Sequence, residues 1–179
     1  FMDNNWDIRR LLKQMVLSST YRQSSVTSPE MREIDPKNIY LSRGNPARLS
    51  AEMIRDQALA TSGLLNQQVG GASVRPYEVA YSLKPQKPET KNGLYRRSLY
   101  TWWQITAPAP VRTTFNASKR AVCRVSRDVT SSPLQALILL NGEEFVEASR
   151  VLGLKMLTQF PELEDQPAMV DAIFRTLTS

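Results

Sequence analysis

The sequence predicts a mainly α-helical fold of about five helices with long ordered loops and room for one small β-sheet. Three observations carry this. Ile8, Leu11, Leu12, Met15 and Val16 fall at i, i+3, i+4, i+7 and i+8, the apolar stripe of one helix. Phe145, Ala148, Leu152, Met156 and Phe160 repeat a helical register near the other end. Just before them, Ser132-Pro133 opens and Asn141-Gly142 closes a stretch that is apolar all round.

The elements follow in chain order. Asn4-Asn5 are expected to cap a first helix beginning at Trp6-Asp7, with Arg9, Arg10 and Lys13 on its polar face and an end near Ser18-Ser19-Thr20. Residues 24–48 are rich in Pro, Ser and Asn. A short helix from Pro29 to Ile34, capped by Ser28 and ended by Asp35-Pro36, interrupts them. Ile39, Tyr40 and Leu41 are expected to pack in an ordered loop.

Ser50 is the N-cap of the next helix, with Glu52 complementing its positive end and Leu49 and Ile54 placed as a hydrophobic staple. Its apolar face reads as Met53, Ile54, Ala58, Leu64 and Leu65, Gly63 weakens its end, and Gly70-Gly71 finishes the element. Residues 70–93, with Gly70-Gly71 at their start and three prolines, read as a mobile loop. The aromatic and β-branched content of residues 94–103 favours a strand over a helix. Residues 111–115 and 122–125 are expected to be short strands. The Ser132-capped helix, being apolar on every side, should be central and buried. A helix over 143–160, stopped by Pro161, and a last one from near Pro167 complete the chain.

At 179 residues the chain suits one domain with a real core, and residues 1–179 read as a single domain. Phe1 precedes Met2, and the chain stops inside an amphipathic pattern, so a fragment of a longer multidomain protein is expected. Hydrophobic content of 41% and charged content of 22% are those of ordinary globular domains. The longest apolar run, residues 136–140, falls far below the roughly 20 residues of a spanning helix, so no membrane segment is expected.

Histidine is absent, which excludes His-based acid-base catalysis, Ser-His and Cys-His nucleophiles and His ligation of metal or haem within these residues. The lone Cys123 excludes an internal disulfide and is expected to be a small buried apolar residue. The net charge of +6 is carried mostly by arginines interleaved with acids, and a soluble surface with internal ion pairs is the preferred reading over a polyanion site.

Glu52 and Asp56 lie at i, i+4, a spacing open to acid-base work, but in the first turns of a helix they read first as cap complement and ion-pair partners. Glu143-Glu144 read as the acidic start of a helix. Gly70-Gly71 lacks the Lys-Ser/Thr of a phosphate loop. The strongest cluster comprises Arg96, Arg97, Arg112, Lys119, Arg120, Arg124 and Arg127 within 32 residues, interleaved with aromatics. Rings stack and guanidinium forks bind anions, so Arg96, Arg97, Tyr100, Trp102, Arg120, Arg124 and Arg127 form the candidate ligand or anion site. The competing and preferred reading has these arginines tying loops down through acids and carbonyls. No catalytic or metal constellation is read.

Five segments together carry a resemblance: Thr20-Tyr-Arg-Gln-Ser-Ser25, Arg48-Leu-Ser-Ala-Glu-Met-Ile-Arg-Asp56, Gly70-Gly-Ala-Ser-Val-Arg-Pro-Tyr77, Leu94-Tyr-Arg-Arg-Ser-Leu-Tyr-Thr-Trp102 and Thr130-Ser-Ser-Pro-Leu-Gln-Ala-Leu-Ile-Leu-Leu-Asn141. In this order the chain resembles the C-terminal domain of unknown function of large planctomycete-type proteins that also carry a c-type cytochrome domain. The resemblance implies an exported, periplasmic or extracytoplasmic, multidomain bacterial parent. It implies no cofactor in these residues, with haem in another domain. Relatives often read Phe-Asp-Ala-Pro-Asp where this chain has Phe115-Asn-Ala-Ser-Lys119, which removes two acids from that loop.

The sequence therefore points to a structural or ligand-interaction domain whose partners are other domains of the same chain. The runner-up binds or acts on acidic polysaccharide, with Arg96, Arg97, Arg124 and Arg127 on anions and Asp128 or Glu52 as acid or base. A third reading, nucleic-acid binding, rests on charge alone.

Overall fold

A computed structural model describes residues 1–45, 48–75, 91–103, 108–118, 123, 125–162 and 165–178. Among the described residues the regular structure is helical, with five helices of seven or more residues. No strand forms among the described residues, where β-pairing is limited to two isolated bridges. The chain divides into two compact units, Phe1–Arg48 and Leu49–Ser179.

In the first unit, α1 (Ile8–Leu17) and α2 (Pro29–Ile34) flank a turn-rich connection. The α1 cap is Asp7, whose carboxylate accepts from Arg10 N–H, and not Asn4-Asn5. Asn5 and Trp6 have φ of 50° and 57°, a left-handed pair that delays the helix by two residues. Helix α2 has the expected bounds, the Ser28 cap and the Asp35 stop. Asp35 is buried, and its carboxylate takes the N–H groups of Ile39 and Tyr40 at 2.8 and 2.9 Å. The Arg43 guanidinium then donates to the carbonyls of Asp35 and Pro36. That local hydrogen bonding, rather than packing, orders the loop: Ile39, Tyr40 and Leu41 are exposed, against expectation.

The second unit is built on α3 (Ala51–Ser62) and α7 (Glu143–Gln159). The Ser50 hydroxyl accepts from Met53 N–H, and Gly63 closes α3 at φ 84°, so the helix ends there and not at Gly70-Gly71. The buried face of α3 is Ala51, Arg55, Leu59 and Ser62, while Met53 is exposed, so the predicted apolar face is rotated away from the observed one. On α7 the buried face is Glu144, Phe145, Ala148, Leu152 and Met156, as the register predicts, with one charged addition.

Between these helices lie the four-residue α4 (Lys91–Leu94), a 3-10 turn at Ser98–Tyr100, α5 (Pro110–Thr114) and α6 (Pro133–Asn141). Helix α8 (Gln166–Thr178) packs on α3 and α7, and Gln57 Nε2 donates to Leu177 O at 2.7 Å. Ala51, Phe115 and Ala117 form a core cluster with Ile54, Val111 and Ile138 against it.

Three expectations need correction here. Residues 111–114 are helical rather than extended, with Phe115 as C-cap, because Pro110 fixes φ at the first position and Thr113 Oγ1 bonds back to Pro110 O. Residues 94–103 form no strand beyond single bridges at Arg96 and Thr101. Helix α6 is not buried all round: Leu134, Leu137 and Leu140 are exposed, Leu140 by 74%, and its buried residue is Gln135. The Gln135 amide donates to Thr114 O and Thr130 Oγ1 and accepts from Ser132 N–H, so a polar side chain takes the inner position by satisfying loop groups. Residues 122 and 124 of the expected strand at 122–125, and residues 76–90 of the mobile loop expected over 70–93, lie outside the described residues, while residues 91–93 of that loop open α4.

An apolar cavity of about 360 Å³ lies between α3, α6, α7 and α8, lined among others by Leu139, Phe145, Leu152 and Gly153. Two glycines of this region behave oppositely. A Cβ at Gly142, between α6 and α7, would stand 2.7 Å from Ile138 O and 3.1 Å from the Phe145 ring, whereas one at Gly153, inside α7, meets nothing within 4 Å. Gly142→Ala is expected to destabilise by about 1–3 kcal/mol. Gly153→Ala is expected to stabilise by about 0.5–1 kcal/mol through helix propensity. Urea unfolding with an unchanged slope checks both.

Candidate functional site

The candidate arginine and aromatic cluster is assembled on α3. Arg55 projects from its inner face with a side chain only 4% exposed. Its Nε donates to Glu144 Oε2 at 2.8 Å, Nη1 to Arg96 O at 2.8 Å and to Ser98 Oγ at 3.3 Å, and Nη2 to Leu94 O at 2.8 Å. One planar fork thus joins α3, the first turn of α7 and the 94–98 segment. Asp56, the next residue, accepts Ser98 N–H at 2.7 Å and faces Arg97 Nε at 3.8 Å. Ser98 and Thr101 are buried, and Thr101 Oγ1 closes the turn onto Ser98 O.

Arg96 organises the adjoining loop. Its side chain is buried, and its guanidinium donates to the carbonyls of Ala72, Gln68 and Gly70. The same group stacks over the Tyr100 ring at 4.3 Å. Among the described residues Arg96 Nε has no hydrogen-bond partner, so the fork is turned toward the loop carbonyls at the expense of its inner nitrogen. The loop then runs beside the 95–102 segment: Asn66 N–H donates to Tyr95 O, Val74 N–H to Tyr100 O, and Trp102 N–H to Val74 O. Tyr95 itself donates to Glu147 Oε1 at 2.6 Å, and that hydrogen bond, with desolvation and the carboxylate charge, holds the phenol above its ordinary value.

The outer surface of this platform carries Arg97, Leu99 and Trp102, with Leu99 67% and Trp102 48% exposed. Arg75 stacks over the Trp102 ring at 4.7 Å. Arg127, from the segment before α6, reaches α3 at another point and donates to Glu52. Glu52 and Asp56, one turn apart, thus receive Arg127 and Arg97 respectively. Of the candidate residues, Arg96, Arg97, Tyr100 and Trp102 come together, Arg127 sits a turn away, and Arg120 and Arg124 lie outside the described residues. Cys123 is exposed, contrary to its expected burial.

Sequence reasoning missed Arg55 and Glu144. Glu144 stands in the acidic first turn of α7, as expected, and is in addition a buried ion-pair partner. The available signal was position: Arg55 stands four residues from Ala51 and from Leu59 on what becomes the inner face of α3.

Partial burial pushes the Glu52 carboxyl up. The Arg127 hydrogen bond and charge, with the helix N–H and Ser50, outweigh it and leave the carboxyl below its ordinary value. Among the described residues no three acidic or cysteine side chains gather as a metal site.

The whole chain, residues 1–179, matches the family described as Protein of unknown function (DUF1553), PSD1. It belongs to this family. No curated protein and no solved structure matches it.

In this DUF1553 domain, loss of either member of the Arg55–Glu144 pair is expected to cost about 3–5 kcal/mol, because an uncompensated charge stays buried. Arg55→Met and Glu144→Leu combined should cost clearly less than the sum, as a double-mutant cycle in urea will measure. Glu52 is a depressed carboxyl, so its contribution is present above its ordinary value of 4.5 and is lost as pH falls through the lower folded value. Acid unfolding curves of wild type and Arg127→Met should therefore converge at the lowest pH and separate above it.

Proposed function

We propose that this DUF1553 domain is a non-catalytic structural and interaction module of an exported, multidomain bacterial protein. Any haem chemistry of the parent belongs to another of its domains. The observation that carries the reading is the direction of the guanidinium groups. Arg55 and Arg96 are buried and committed to Glu144 and to backbone carbonyls, holding loops on α3. Arg97 and Arg127 face Asp56 and Glu52. The two buried forks set a surface in place, and the half-exposed Arg97 and Arg127 stand beside carboxylates that offset their charge toward a polyanion.

The surface so placed has Leu99 and Trp102 outward beside Arg97 and the Arg75–Trp102 stack. A half-exposed tryptophan and an exposed leucine rimmed by arginine suit a modest, partly apolar contact with a neighbouring domain of the same chain. Export and association with a c-type cytochrome domain are drawn from the resemblance in the five sequence segments.

Hydrogen exchange on the full-length parent and on the 179-residue chain tests the reading. Slower exchange over residues 97–102 in the parent, reversed by Trp102→Ala, is expected. Equal exchange in the two overturns it. So does salt-sensitive binding to acidic glycans that Arg97→Ala abolishes, since that outcome belongs to the polysaccharide reading.

A further inference from the structure

Helix α1 has an apolar stripe and no core to cover with it. Every residue of Ile8–Leu17 is exposed, and the helix contributes no buried residue. Along the stripe the exposure runs from 36% at Leu11 to 63% at Ile8. At about 100° per residue, Leu11, Met15, Ile8, Leu12 and Val16 occupy a continuous arc of about 140°. Arg9, Lys13, Arg10 and Gln14 lie on the opposite arc together with Leu17 of the last turn, and no acid lies within the helix. Arg9 borders the apolar arc beside Val16, where a long cationic stem can lie along apolar surface with its charge outward.

The N-terminal end adds an aromatic pair. Phe1 and Trp6 meet edge to face at 5.2 Å, and both rings are exposed. The left-handed backbone at Asn5 and Trp6 sets this pair at the start of the helix. Tyr21 is exposed just beyond the other end. Aromatic side chains at the ends of a basic amphipathic helix suit the headgroup level of a bilayer, where an apolar ring body and a polar atom are both accommodated.

We infer that α1 is a membrane-surface helix that lies flat on an anionic phospholipid bilayer, with Ile8, Leu11, Leu12, Met15 and Val16 in the interface and Arg9, Arg10 and Lys13 toward the headgroups. Charge selects this occupant. A second copy of α1 would cover the stripe but supply no acid from its helix to the three cations. An anionic headgroup layer supplies the opposite sign along the whole helix. The helix lies on the bilayer and does not cross it: ten residues reach about 15 Å, and no described helix is long and apolar enough to span.

Co-flotation of the 179-residue chain with vesicles tests this. Binding is expected to vesicles of phosphatidylcholine mixed with phosphatidylglycerol and to be far weaker with phosphatidylcholine alone. High salt should weaken it. Removing each basic charge should weaken it about fivefold. Leu12→Glu should abolish it, and because Leu12 is exposed the unfolding curve should not move. Arg9→Glu with Lys13→Glu gives the independent electrostatic arm. Absence of binding to the anionic vesicles at low salt overturns the inference. So does binding that Leu12→Glu leaves intact, or self-association lost on Leu12→Glu without vesicle binding.

Discussion

The second unit depends on one guanidinium. Arg55 is buried on α3, and four hydrogen bonds from it reach Glu144, Leu94, Arg96 and Ser98. Burying an arginine and a glutamate carries a desolvation cost of several kcal/mol per ion, offset only when geometry is good and the remaining donors are satisfied. Here the carboxylate takes Nε, and carbonyls take the outer nitrogens. The arrangement fixes position more than it adds net stability. The 94–98 segment has no strand ladder to specify where it lies, and the fork specifies it.

From that anchor the platform is assembled outward. Once residues 94–98 are seated, the Arg96 side chain points at the 68–72 loop and gathers its carbonyls. The loop then pairs with the 95–102 backbone through single bridges, and Trp102 receives Arg75. Each step satisfies backbone groups that helices would satisfy internally. The unit is therefore helical in content and held together by side chains in its loops.

Local signals in the sequence were legible where the governing chemistry is local. Ser28-Pro29 and Asp35 bound α2 because cap, fixed φ and stop all act within one turn. The α7 face was legible because Phe145, Ala148, Leu152 and Met156 repeat without interruption. The Arg55–Glu144 pair was not, since its partners are 89 residues apart and charged residues read as surface. Helix α6 failed for a related reason. Six apolar residues in nine promise burial, but only one side of so short a helix meets α5 and α7, and Gln135 took the inner place because its amide had the last carbonyl of α5 and two loop groups to satisfy. Residues 111–115 misled because β-branched content spoke for strand while Pro110 decided for helix. In the site, the aromatics and arginines were found as a cluster, but composition does not tell whether a guanidinium faces outward or inward.

The Arg96 contact has an asymmetry. Its partners at Gln68, Gly70 and Ala72 are main-chain carbonyls, which every amino acid supplies. Gly70 is held to glycine by its φ of 77° and not by the contact. The information that closes this loop is therefore written on one side only. Mutational drift at positions 68 and 72 leaves the lock intact, whereas the key at position 96 has no synonym: lysine offers a single ammonium centre where three carbonyls and a tyrosine ring are arranged around a plane.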